Sequence, residues 1–119
     1  MMALYILGRI MFGVYFLISG INHFRNAGML TGYSASKKVP YPKLAVLFSG
    51  AMLVVGGLGF IFGFFIAESS VLLILFLVPT SFIMHAFWKV SDPTHRMGEQ
   101  INFMKNLALI GALLMMTLF

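Results

Sequence analysis

Four polar side chains recur along the last apolar stretch of the chain: His95, Glu99, Asn102 and Asn106, at spacings of four, three and four residues. On an α-helix that spacing places them on one face, with Lys105 beside the stripe. Amide and ammonium groups are costly against lipid, so the stripe is expected to face protein or a wet cavity. Ser19, Asn22 and His23 end the first apolar stretch, and His85 and Trp88 end the third, on the same side of the fold. The candidate cluster is therefore Ser19, Asn22, His23, His85, Trp88, Glu99, Asn102, Lys105 and Asn106. Two uses compete for it. The first is structural, capping helix ends and joining helices. The second is a ligand pocket for a quinone head or a similar amphiphile.

Metal and thiol chemistry find no support. The chain has no cysteine, so disulfides, thiolate nucleophiles and iron–sulfur ligation by its own residues are excluded. Bis-histidine haem needs two imidazoles facing each other across a bundle, whereas His23, His85 and His95 all fall near one end. No metal site is expected.

The elements that must position these groups are apolar blocks at about residues 3–24, 44–65, 71–88 and 101–119, the last helix starting as early as Pro93. Each approaches the roughly 20 residues that a helix needs to cross a hydrocarbon core of about 30 Å. The chain is 61% hydrophobic and 9% charged, and its mean hydropathy is +0.99. Those values leave too little polar surface for a soluble domain. Spans in lipid must be helices or a closed barrel, and continuous rather than alternating apolar residues exclude the barrel. The expected fold is an all-α membrane protein, a four-transmembrane-helix bundle forming one domain over residues 1–119. No basic region precedes the first block, which reads as an uncleaved helix.

Charge placement orients the bundle. Arg25, Lys37, Lys38 and Lys43 lie in or beside the first gap, and Lys89, Arg96 and Lys105 in or beside the third. Only Arg9 lies towards the other side. The positive-inside rule then puts both basic gaps in the cytoplasm and both termini on the non-cytoplasmic side of a bacterial inner membrane. The net charge of +5 is assigned to that asymmetry and to anionic headgroups, not to nucleic acid. At the opposite end, Arg9 is expected to pair with Glu68, or equally to snorkel to the surface.

Four local features refine the blocks. The segment AGMLTGYSASKK after Arg25 has the mixed composition of a short interfacial helix. Gly50, Gly56, Gly57, Gly59 and Gly63 make block two glycine-rich, with Gly59 and Gly63 spaced as a GxxxG pair, for close helix packing first and homo-oligomerisation second. Pro79 is expected to kink block three, with Thr80 and Ser81 satisfying the freed carbonyl. Asp92-Pro93 reads as an N-cap and first-turn proline.

In order and spacing, these segments resemble the DoxX family of small four-span bacterial membrane proteins. The resemblance rests on Gly8-Arg9 and Phe16-Leu17-Ile18-Ser19-Gly20-Ile21-Asn22 in the first block, Val39-Pro40 entering the second and Gly56-Gly57 within it. It continues through His85-Ala86-Phe87-Trp88 and Asn102-Phe103-Met104-Lys105-Asn106-Leu107-Ala108-Leu109. Relatives include a subunit of a thiosulfate:quinone oxidoreductase and a membrane partner in a thiol-oxidant defence complex, which implies a role near membrane redox chemistry. Many relatives carry an acidic or polar residue ahead of the paired glycines, where this chain reads Met52-Leu53-Val54-Val55. That departure weakens proton-coupled chemistry within the bundle. The resulting expectation is an integral membrane subunit or anchor that holds a redox protein partner and a quinone at the cytoplasmic end. A stand-alone quinone-linked oxidoreductase and a small-solute transporter are the alternatives. Against them stand the missing flavin and nucleotide fingerprints and the sparse polar lining of the spans.

Overall fold

The computed structural model describes residues 1–118 and contains five α-helices and one 3₁₀ turn in that range. In chain order they are α1 (Met2–Arg25), α2 (Ala27–Ser36), α3 (Pro42–Phe62), α4 (Ile66–Met84), the 3₁₀ turn Phe87–Lys89, and α5 (Pro93–Met116). Phe119, the last residue of the fourth block, lies outside the described residues.

Several boundaries follow from local chemistry. Asp92 caps α5, its carboxylate accepting the His95 backbone N–H at 2.9 Å, with Pro93 in the first turn where no N–H is needed. The helix α3 ends at Phe62, three residues short of the sequence block, because Gly63 adopts φ +76° and its N–H returns to the Gly59 carbonyl. That left-handed cap is the conformation that glycine enters without a Cβ penalty. The next helix then starts at Ile66, not near residue 71. Glu68, Ser69 and Ser70 are consequently helical: Ser69 and Ser70 are buried, and Ser70 Oγ donates to the Ile66 carbonyl at 2.8 Å. Farther along α4, Pro79 leaves the Leu75 carbonyl without its helical donor. Ser81 does not replace that donor as expected; its hydroxyl donates to the Leu77 carbonyl at 2.7 Å. Thr80 makes no hydrogen bond through its side chain among the described residues and faces a cavity described below.

Helix packing explains the glycines. On α1, Gly13 and Gly20 lie two turns apart, and on α3 so do Gly57 and Gly50. A Cβ on Gly13 would sit 2.6 Å from the Gly57 carbonyl oxygen, and one on Gly20 would sit 2.8 Å from that of Gly50. Only hydrogen fits, so the antiparallel helices approach almost backbone to backbone. Gly56 receives Leu73 of α4, and Gly59 receives Ser69. The small face of α3 is thus filled by this chain's own helices. Gly63 serves as the turn and not as half of a GxxxG contact.

Phe16, Leu53, Phe60, Leu73, Leu77 and Leu113 form the buried core. Phe12 meets Phe16 and Phe60 edge to face at 5.1 and 5.2 Å. Around it, α1 packs on α3, α3 on α2 and α4, and α4 on α5. No comparable packing joins α1 to α5 among the described residues, which leaves a cleft between them. Among the described residues, three segments are long and apolar enough to cross a membrane: Met2–Arg25, Pro42–Phe62 and Ile66–Lys89. At 24 residues α5 is as long as α1, but it carries Arg96, Glu99 and Lys105.

Candidate functional site

The α2 end of the bundle gathers polar groups around one carboxylate. Glu99 is 4% exposed. Its Oε2 accepts the Tyr33 hydroxyl at 2.8 Å and lies 3.5 Å from Lys37 Nζ. Its Oε1 faces His85 Nδ1 at 3.2 Å and Asn102 Nδ2 at 3.5 Å. Three elements therefore converge on one side chain: α2 with the residue after it, the C-terminal cap of α4, and α5 itself.

The partners decide the protonation states. Burial alone would raise the Glu99 pKa; hydrogen bonds from Tyr33 and His85, with the nearby imidazole charge, outweigh it and hold the carboxyl below its usual range. Glu99 precedes the apolar part of α5, residues 101–116. Burial first, and then the hydrogen bond and charge of Glu99, push the Tyr33 phenol up to about 12. The result is an ionised carboxylate held by a neutral phenol. Since a carboxylate only accepts, His85 must donate through Nδ1. His23 donates Nδ1–H in the same way to the Ser19 carbonyl at 2.8 Å.

Beneath α2 lies a cavity of about 650 Å³. Its walls come from α1 (Tyr15, Phe16, Ser19, His23), α2 (Leu30, Tyr33, Ser34), α3 from Ala45 to Leu53, α4 from Leu75 to Met84, and α5 (Lys105, Asn106), with His85 at the rim. The walls are mostly apolar, with the polar side chains of Ser19, His23, Tyr33, Ser34, Ser49, Thr80, His85, Lys105 and Asn106 among them. Phe48 and Leu75, both exposed on the flank of the bundle, also line the cavity.

The sequence cluster divides on this geometry. Ser19, His23, His85, Lys105 and Asn106 line the cavity. Glu99 and Asn102 stand behind the lining and brace it. Asn22 and Trp88 do not line it. Asn22 is exposed and accepts a hydrogen bond from Asn26 one turn on. Trp88 is 45% exposed and packs edge to face on Phe87 and Phe103. His95 is exposed at the head of α5, so the stripe turns inward only from Glu99.

Tyr33, Ser34 and Lys37 escape sequence reasoning although Tyr33 and Lys37 are spaced one helical turn apart. That spacing marks a shared face of α2, but nothing local connects it to Glu99, 66 residues beyond Tyr33.

At the other end, the expected Arg9–Glu68 pair does not form: the ion pairs among the described residues are those of Glu99 with Lys37 and His85. Glu68 is exposed in the first turn of α4, where its charge suits the helix dipole. The Arg9 guanidinium lies over Gly63, in the space a side chain there would fill, and 5.6 Å from the Tyr5 ring centre. Its Nε is buried without a hydrogen-bond partner. No three His, Asp or Glu side chains converge on a metal-sized site among the described residues.

Comparison with known proteins places this arrangement. The DoxX family model matches residues 4–86. The inner membrane protein YphA of Escherichia coli (strain K12) is 29% identical over 116 residues, covering 97% of this chain and 81% of the relative. No solved structure matches. The family match ends ahead of α5, so Glu99, Lys105 and Asn106 lie beyond it, while the likeness to the relative covers nearly the whole chain.

Proposed function

This chain belongs to the DoxX family and resides in the bacterial inner membrane, and on that premise we propose that it is a membrane subunit that holds an amphiphile, a quinone foremost, beneath α2 for a partner oxidoreductase. The observation that carries the proposal is the cavity of about 650 Å³ beneath α2, mostly apolar along its walls with polar side chains from five helices among them. Its size falls within the range of roughly 300–1,000 Å³ usual for small-molecule sites. Apolar walls with a few hydrogen-bonding side chains suit a molecule with an oxygen-bearing head and a hydrocarbon tail.

In this proposal residues 1–119 act as one membrane domain. The helix α5 supplies a fourth crossing from about residue 101 onward, and its polar first turns stand in the headgroup region beside α2. The basic residues flanking α2 and the 3₁₀ turn then face the cytoplasm, with both termini on the opposite side. The pocket meets the cytoplasmic surface, where a soluble redox partner has access to it.

The test is binding of decylubiquinone to the detergent-purified protein, compared with an Ala45→Phe variant that places a ring in the cavity. Saturable binding that the variant loses, with its thermal stability retained, supports the proposal. Equal binding by both proteins contradicts it. Alkaline phosphatase fused after Phe119 is expected to be active, and an inactive fusion of normal abundance would reverse the proposed orientation.

A further inference from the structure

We propose that the cavity beneath α2 selects an acidic amphiphile, a long-chain carboxylic acid, whose head is received by Lys105, Asn106 and Ser34. This deepens the amphiphile-binding proposal and rests on it. Two buried groups carry it first. Asn106 is 4% exposed and Ser34 8%, and both line the cavity, one from α5 and one from α2. Neither side chain makes a hydrogen bond among the described residues. Among the described residues Arg9 Nε alone is a fully buried side-chain polar atom without a partner, so the Asn106 amide and the Ser34 hydroxyl keep access to the cavity space. An amide and a hydroxyl left unpaired against the same cavity mark where a ligand's polar atoms belong.

Charge then specifies the ligand. Lys105 lines the cavity and has no carboxylate within 4.0 Å among the described residues. Its Nζ lies 5.7 Å from the centre of the Tyr15 ring, across the cleft between α5 and α1. No Asp or Glu lines the cavity. Glu99 is already committed to Tyr33, Lys37, His85 and Asn102. The lining therefore carries the Lys105 ammonium and no carboxylate. Lys105 is exposed on α5, so a neutral head leaves its ammonium to water and headgroups. A carboxylate adds an ion pair with Lys105, and a charge-assisted hydrogen bond is roughly twice as strong as a neutral one. The apolar walls of Phe16, Val46, Leu53, Phe76 and Leu77 suit the tail, which has an exit past Phe48 and Leu75 on the flank.

The experiment compares oleate with oleyl alcohol, which has the same tail and an uncharged head, by displacement of a fluorescent fatty acid from the full-length protein in detergent. Decylubiquinone is titrated in parallel. Oleate is expected to bind about tenfold more tightly than the alcohol, a difference of about 1.4 kcal/mol. Lys105→Met should abolish that preference, whereas Lys43→Met, outside the cavity, should keep it. Equal affinity of the two probes, or a preference that survives Lys105→Met, overturns the inference. If decylubiquinone binds and oleate neither binds nor displaces it, the inference falls while the cavity remains a ligand site. If none of the three binds, both fall.

Discussion

The two ends of this bundle treat their ionisable groups in opposite ways. At the α2 end, Glu99 is buried and held by side chains from three elements. At the Gly63 end, Arg9 and Glu68 do not pair, and the guanidinium rests over a left-handed glycine with its Nε unpartnered. A buried charge must be matched by the protein itself, whereas a charge near the surface can take its partners from headgroups and water. One end is thus fixed by its own fold. The other depends on its surroundings.

The largest expected effect is at Glu99. Glu99→Ala strips Tyr33, Lys37 and His85 of their shared acceptor and should destabilise the fold by about 3 kcal/mol, in the range for breaking buried ion pairs. Glu68→Ala should leave the thermal unfolding temperature in detergent unchanged. Equal losses at the two sites would erase the contrast. Tyr33→Phe comes next, at about 1.5 kcal/mol for a hydrogen bond to a charged group. Weakened protection of α2 in hydrogen exchange should accompany it. Gly63→Ala should cost about 1 kcal/mol for a left-handed alanine, and it should displace Arg9 without disturbing exchange in α2.

The smallest effect is a titration. Tyr33, raised to about 12, should ionise after a tyrosine with the usual value of 10.0. Because the folded state holds this proton more tightly, the associated stability is fully present below pH 10 and is lost as pH rises through about 12. Absorbance near 295 nm, compared with Tyr33→Phe, should show one late step in the parent protein. In Glu99→Gln that step should move down. A Tyr33 step that ignores Glu99 would remove the electrostatic link.

Much of this was legible in the chain because it is local. The spacing of Glu99, Asn102 and Asn106 forecast an inward face on α5, and Asp92-Pro93 forecast its start. The short helix in the first gap was visible in composition, but its docking onto Glu99 is a contact across 66 residues, beyond any local pattern. The start of α4 was hidden because Ser69 and Ser70 look like a polar gap. Burial against α3 and the Ser70 bond to Ile66 make them helical instead. Gly59 and Gly63 matched a packing motif, yet the left-handed turn at Gly63 ends the helix before a second contact can form. The sign and side of Arg9 and Glu68 suggest a pair, but sequence position does not say which helix face each occupies.

The most direct test of the central claim is photolabelling of the full-length protein in membranes with an azido-quinone, followed by peptide mapping. The account predicts labelling confined to residues 30–34 of α2 and 105–106 of α5, suppressed by excess decylubiquinone. Labelling spread over the outer faces of the helices, or concentrated near Arg9 and Gly63, and insensitive to that competitor, would contradict it.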